Sequence, residues 1–158
     1  MSTDLRIRRA EARDVPRLLE LLLQVNNIHH ALRPDLFVEN RTKYGEAVLL
    51  EMLEDPGKPI FVAETAEQGV QGYLFAQIRL REGLNLTGGS SFYIDDLCVS
   101  EAVRGTGIGT ALLDFGKQYA KENGCREVLL NVWEGNETAI RFYVNHGFAP
   151  RSHLMEWK

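Results

Sequence analysis

Cysteine is scarce in this chain of 158 residues: only Cys98 and Cys125 occur, far apart in the sequence. Two such thiols make no disulfide framework, and no apolar leader opens the sequence, so a reducing cytoplasm is the expected setting. Three Asn-x-Ser/Thr triplets, at Asn40, Asn85 and Asn136, then read as chance. Long hydrophobic runs are missing too. The leucine run around residues 21–23, like every other apolar run, falls far short of the ~18–20 residues that cross a bilayer, so no membrane span is expected. Basic charge is not in surplus: 18 Lys and Arg face 22 Asp and Glu, a net charge of −4. Nucleic acid binds through a cationic surface and is therefore not an expected partner, whereas a cationic small molecule suits the field. His29 and His30 are adjacent, about 100° apart on a helix, and lack the i, i+4 spacing of a helical metal pair, so no metal is expected. No repeat, low-complexity tract or linker divides the chain. Its length, near the ~150 residues typical of one domain, predicts a single domain over residues 1–158 that buries roughly 70% of its unfolded surface.

What is present is a hydrophobic period that changes along the chain. Residues 5–9 alternate apolar and basic side chains like a short edge strand. Asp14 stands as N-cap before Pro16, and the helix that follows carries Leu18, Leu19, Leu21, Leu22, Val25 and Ile28 as a wide apolar face until Pro34. A second helix is expected over residues 41–53, ending before Pro56. Strand-like runs at 60–63, 72–80 and 91–99, separated by turn residues, predict an antiparallel meander. A helix over residues 107–122 carries Ile108, Ala111, Leu112, Phe115 and Tyr119 on one side and stops at Gly124. Residues 127–132 form another strand, and their distance from 91–99 allows parallel pairing through that helix in a right-handed crossover. A last helix begins at Gly135-Asn136 and closes at Gly147, after which 148–157 are expected to return as strand. The fold class is α/β with a mixed sheet.

The most informative stretch reads Val103-Arg104-Gly105-Thr106-Gly107-Ile108-Gly109-Thr110, with a strand before it and a helix after it. Glycines let successive N–H groups turn inward, and the first turn of the helix adds unpaired N–H groups and the positive end of its dipole. The loop suits a pyrophosphate, with Arg104 as a formal charge beside it. A dinucleotide fingerprint fails on spacing, because Thr110 stands where the third glycine belongs. A nucleoside triphosphatase loop fails because no Lys closes the glycine stretch, the first one after it being Lys117.

What remains, Arg-x-x-Gly-x-Gly after a strand ending Leu97-Cys98-Val99, resembles the GNAT superfamily of acyl-CoA-dependent N-acyltransferases. A second stretch, residues 131–148 with its Asn-containing loop, Phe142-Tyr143 and Gly147-Phe148, is similar to that family's later motif. The resemblance implies a mostly antiparallel mixed sheet, flanked by helices, whose central parallel strand pair splays apart. It further implies that the backbone of Leu97, Cys98 and Val99 pairs with the pantetheine of acetyl-CoA, and that Arg104 with Gly105, Thr106, Gly107, Ile108, Gly109 and Thr110 grips the pyrophosphate. Asn136, with Glu137, Thr138 and Ala139, would border the thiol arm, and Tyr143 would point toward the sulfur. A homodimer is also what the resemblance implies. The segment Tyr93-Ile-Asp-Asp-Leu-Cys-Val99 is most similar to that of diamine (spermidine/spermine-type) acetyltransferases, where Glu-Asp stands in place of Asp95-Asp96.

An alkyl ammonium with pKa near 10.4 is only about one part in a few thousand free base at pH 7, a handicap of roughly 4.6 kcal/mol for a nucleophile. A base must take that proton, a donor must meet the oxyanion, and an acid must protonate the leaving thiolate. Asp95 is the expected base and Tyr143 the expected acid. Asp95 and Asp96 are expected on opposite faces of their strand, so that one of them faces the reaction centre. His29 and His30 are candidates for the acceptor pocket, and Cys98 reads as a packed small residue. The reading is an acetyl transfer from acetyl-CoA to a primary amine. A coenzyme A-binding module without catalysis, or an enzyme acting on protein N-termini or lysines, stands as the alternative.

Overall fold

In the computed structural model, which describes residues 4–158, one five-stranded sheet runs in chain order. Its strands are β1 (Arg6–Arg9), β2 (Ile60–Thr65), β3 (Gly69–Leu80), β4 (Ser90–Val99) and β5 (Glu127–Leu130). β1 to β4 pair antiparallel, and β4 pairs parallel with β5. Helices α1 (Val15–Leu32) and α2 (Glu46–Leu53) cover one face, and α3 (Ile108–Glu122) and α4 (Glu137–Asn145) cover the other. With both faces covered, β3 reads as a continuous buried run from Val70 to Ala76 instead of an alternating one. Leu18, Leu21, Leu22, Leu49 and Met52 pack on Val62, Tyr73 and Phe75 from one side. Ile108, Leu112, Leu113 and Ala120 pack on Leu74, Phe92 and Ile94 from the other. Gly116 brings α3 close to the sheet, since a Cβ there would stand 2.8 Å from Leu74 Cδ2.

Three expectations about the elements need correction. Asp14 precedes α1 as expected, yet its carboxylate does not cap that helix; it accepts from the Glu11 N–H at 2.8 Å and from Arg8 at 2.8 Å. The second helix begins at Glu46 instead of 41. Lys43 and Tyr44 are drawn instead to Asp95 on the sheet, which holds the preceding loop out of helical register. Residues 148–157, expected as a strand, form none. Among the described residues no strand lies outside β5 to pair with them; Leu154, Met155 and Trp157 project into solvent, and ion pairs from Arg33 to Glu156 and from Lys158 to Asp35 pin the tail.

One irregularity positions the site. Phe75 opposes Asp96 and Ala76 opposes Ile94, so Asp95 has no partner on β3 and forms a bulge. The extra residue shifts the alternation: Phe92 and Ile94 face α3, and beyond the bulge Leu97 and Val99 do so too. Asp95 and Asp96 therefore both turn toward the α1 and α2 side, contrary to the expected opposite projection.

Candidate active site

β4 and β5 pair only from Ser91 with Glu127 to Ile94 with Leu130. Beyond that point β5 ends and β4 continues to Val99, leaving its edge open. The gap begins at the bulge. Ser100 N–H donates to Gln71 O on β3 at 2.8 Å, so by alternation the main-chain groups of Cys98 and Asp96 face β3 while those of Leu97 and Val99 face the gap. Cys98 O fits this, lying 2.9 Å from the place a Cβ on Gly72 would take. Of the three residues expected to pair with pantetheine, Leu97 and Val99 thus present free-edge groups, and Cys98 spaces them.

The edge already has an occupant at one point. Gln24 on α1 donates from Nε2 to Val99 O at 2.9 Å and accepts from the Glu101 N–H at 3.1 Å. Its carboxamide therefore pairs with the strand much as a peptide unit would. The same Nε2 reaches Cys98 Sγ at 3.5 Å, and burial pushes the Cys98 thiol up to about 12, which removes it as a nucleophile.

After a 3-10 turn at Glu101–Val103 the chain passes through the glycine loop. Gly105 (φ 80°) and Gly107 (φ 88°) both lie in the left-handed region, where a side chain would be strained. The first bond of α3 runs from the Ala111 N–H to Gly107 O, so the N–H groups of Ile108, Gly109 and Thr110 have no partner within the helix. Arg104, Gly105, Thr106 and Gly107 are exposed around this opening. Thr106 donates its hydroxyl to Val103 O at 2.6 Å, which tightens the turn. Thr110 is tied to His146: that ring's Nδ1 lies 2.7 Å from Phe142 O, an acceptor, leaving Nε2 to accept from the Thr110 hydroxyl at 3.1 Å. Val99 and Phe142 both flank Gly109, so strand edge, loop and α4 meet there.

α4 starts at Asn136, whose side chain accepts from the Ala139 N–H at 3.3 Å. Asn136 is thus a helix cap, with Glu137, Thr138 and Ala139 in the first turn behind it. Two turns on, Tyr143 packs edge-on against Phe142 and Phe148. Burial, followed by the nearby Asp96 and Cys98, pushes its phenol well above the ordinary value, so it keeps its proton at neutral pH.

On the α1 and α2 side the two carboxylates differ sharply. Asp95 accepts from Lys43 Nζ at 2.9 Å and from the Tyr44 hydroxyl at 2.6 Å. Asp96 accepts from the buried Tyr73 hydroxyl at 2.8 Å, and burial pushes its carboxyl up to about 6 against the opposing effects of Tyr73 and Lys43. Asp96 is the residue that sequence reasoning passed over. Its signal was there: the apolar positions of β4 switch from even to odd numbers between Ile94 and Leu97, which marks an inserted residue.

Around the gap's outer mouth the α1–α2 loop folds over with an aromatic cluster. Phe37 packs between His29 and Trp133, at 5.0 and 5.4 Å between ring centroids. Burial and then Lys43 lower the His29 pKa, whereas His30 uses Nδ1 on Phe37 O at 2.7 Å to hold the loop.

The chain as a whole, strand edge and glycine loop included, is similar to known proteins. The solved structure of a tetramutant of the BH1408 protein from Bacillus halodurans superposes with a TM-score of 0.92, at 26% identity over 97% of this chain and 99% of that one. Thialysine N-epsilon-acetyltransferase of Sus scrofa is 27% identical over 146 residues, 92% of this chain and 78% of that protein. The putative phosphinothricin acetyltransferase YwnH of Bacillus subtilis is 30% identical over 93 residues, 58% of this chain; the match spans about half of that relative, 54% of its length. The model of the acetyltransferase (GNAT) family matches residues 25–148, from α1 through the cradle and the gap to the end of α4. By that match, and by the gap and cradle it encloses, this chain belongs to the acetyltransferase (GNAT) family.

Proposed function

We propose that this protein transfers an acetyl group from acetyl-CoA to a primary amine, a small amine or polyamine by preference, by direct attack within a ternary complex. The observation that carries the reading is the placement of Asp96 and Tyr143 from opposite faces of the sheet about the gap where β4 leaves β5. Pantetheine lies along Leu97, Cys98 and Val99 as an added strand, and the N–H groups from Gly105 to Thr110, with Arg104, hold the pyrophosphate. Asn136 to Ala139 border the thiol arm.

The chemistry divides among the groups at the bulge. Asp95, the base expected from sequence, is engaged by Lys43 and Tyr44; in this proposal it is the counter-ion that orients the acceptor's ammonium. Asp96, ionising near 6, takes the proton. A base poised there is mostly ionised at pH 7 yet strong enough to assist an ammonium through the transition state. A free edge N–H meets the oxyanion. Tyr143 holds its proton until the alkyl thiolate develops, then donates it. The likeness to thialysine N-epsilon-acetyltransferase over most of the chain supports a flexible alkyl amine as acceptor.

The test is steady-state release of free thiol from acetyl-CoA with a panel of amines, run beside Tyr143→Phe. Release that depends on the amine is expected, with kcat of the variant down by about 10² or more and KM for acetyl-CoA held. Unchanged turnover in the variant removes Tyr143 as the acid. Acetyl-CoA binding without release under any amine or peptide favours a binding module instead.

A further inference from the structure

Lys43 is a primary alkylammonium resting on the carboxylate assigned to the acceptor. We propose that its ε-amine is a self-acetylation site, taking the acetyl group from acetyl-CoA bound to the same molecule when no external amine is present. The inference rests on the functional reading above.

Four observations place Lys43 there. Its Nζ lies 2.9 Å from Asp95 Oδ1, at the bulged residue immediately past the last paired position of β4 and β5. The Asp95 side chain is only 8% exposed while that of Lys43 is 50% exposed, so the ammonium is seated yet free to move. The Lys43 ammonium also lies over the Tyr44 ring, 5.4 Å from its centroid, and Tyr44 stacks on Phe75, which fixes the stem of the loop. The Lys43 charge acts on Asp96, and the Asp96 charge in turn acts on the Tyr143 phenol, so all three lie within electrostatic reach of one carboxylate.

The step uses only acetyl-CoA. Of the ammonium's three protons, one passes to the Asp96 carboxylate and leaves to solvent. The freed nitrogen attacks the thioester carbonyl carbon, the C–S bond breaks, and the thiolate takes the Tyr143 proton. Tyr143 regains a proton from the second N–H, and the third stays on the new amide. The products are acetyl-Lys43, coenzyme A and one released proton. The amide carries no charge, so Asp95 becomes available to an external ammonium.

The experiment incubates the full chain with acetyl-CoA and no amine, then maps acetylation by peptide mass spectrometry over time. Exposed Lys58 and Lys121 report the uncatalysed background. Expected is one acetyl group on Lys43, gained at a rate independent of protein concentration, about a hundredfold slower in Tyr143→Phe, absent in Lys43→Arg and suppressed by an acceptor amine. Acetylation of Lys43 no faster than of Lys121, or equally fast in Tyr143→Phe, overturns the inference while amine turnover leaves the enzymatic reading intact. No transfer to amines or to Lys43 overturns both.

Discussion

Asp96→Asn separates a proton acceptor from a structural carboxylate, because the two roles move activity and stability in opposite directions. With its carboxyl at about 6, Asp96 is about nine-tenths ionised at pH 7 and one-tenth at pH 5, so kcat/KM should fall about tenfold per pH unit below 6. Removing the base should cost about 10² to 10⁴ in kcat, or about 3–5 kcal/mol of transition-state stabilisation. Stability follows a different course. The folded carboxyl ionises above its ordinary 3.8, so the fold binds the proton more tightly than the unfolded chain does. That contribution is complete below 3.8 and is lost as pH rises to about 6, a decline of up to about 3 kcal/mol. Asn is neutral throughout and still accepts from Tyr73, so the variant should melt at or above the wild-type temperature at pH 7 and lose the wild-type slope between pH 4 and 6. The assays are pH-rate profiles of thiol release and thermal melts across the same pH range. Wild-type turnover in Asp96→Asn, or a wild-type profile flat from pH 5 to 7, refutes the assignment. Loss of kcat in Asp95→Asn with Asp96→Asn spared would hand proton transfer to Asp95.

Other perturbations probe the cradle, the strand edge and the frame. Gly105→Ala places a Cβ at φ 80° where no protein atom lies within 4 Å; a modest loss of about 1–2 kcal/mol in stability with a raised KM for acetyl-CoA is expected, and an unchanged KM speaks against the cradle. Gln24→Ala frees Val99 O; at about 0.5–1.5 kcal/mol for one net hydrogen bond, the KM for acetyl-CoA should fall about two- to tenfold, and a rise would mean that Gln24 helps to bind it. Arg8→Met strands the Asp14 carboxylate, whose side chain is 6% exposed, and should cost about 3–5 kcal/mol at neutral pH by chemical denaturation. Burial raises Asp14, but the hydrogen bonds from Arg8 and the Glu11 N–H, with the charges of Arg8 and Arg13, together outweigh it and hold its carboxyl below the usual value. The stabilisation is therefore present above 3.8 and lost as pH falls, so the gap between Arg8→Met and wild type should close in acid.

Local sequence determined much of this protein. The cradle was legible because its requirements are local: backbone at Gly105 and Gly107 that only glycine adopts without strain, followed at once by a helix start. Likewise the α3 stripe, the Asn136 cap and the position of Tyr143 two turns into α4 follow from spacing along one element. Tertiary structure decided the rest. Whether Asp95 and Asp96 share a face depends on a register shift against Phe75 and Ala76, residues of another strand, although the switch in apolar parity along β4 records it. The burial that raises the Asp96 carboxyl, and its Tyr73 partner, come from the packing of other elements around it. That Lys43 and Tyr44 leave their expected helix for Asp95, and that Gln24 pairs with Val99, are contacts across more than fifty residues of chain. Propensity and period report what a segment prefers alone, whereas ionisation and hydrogen-bond partners are settled by what the fold brings against it.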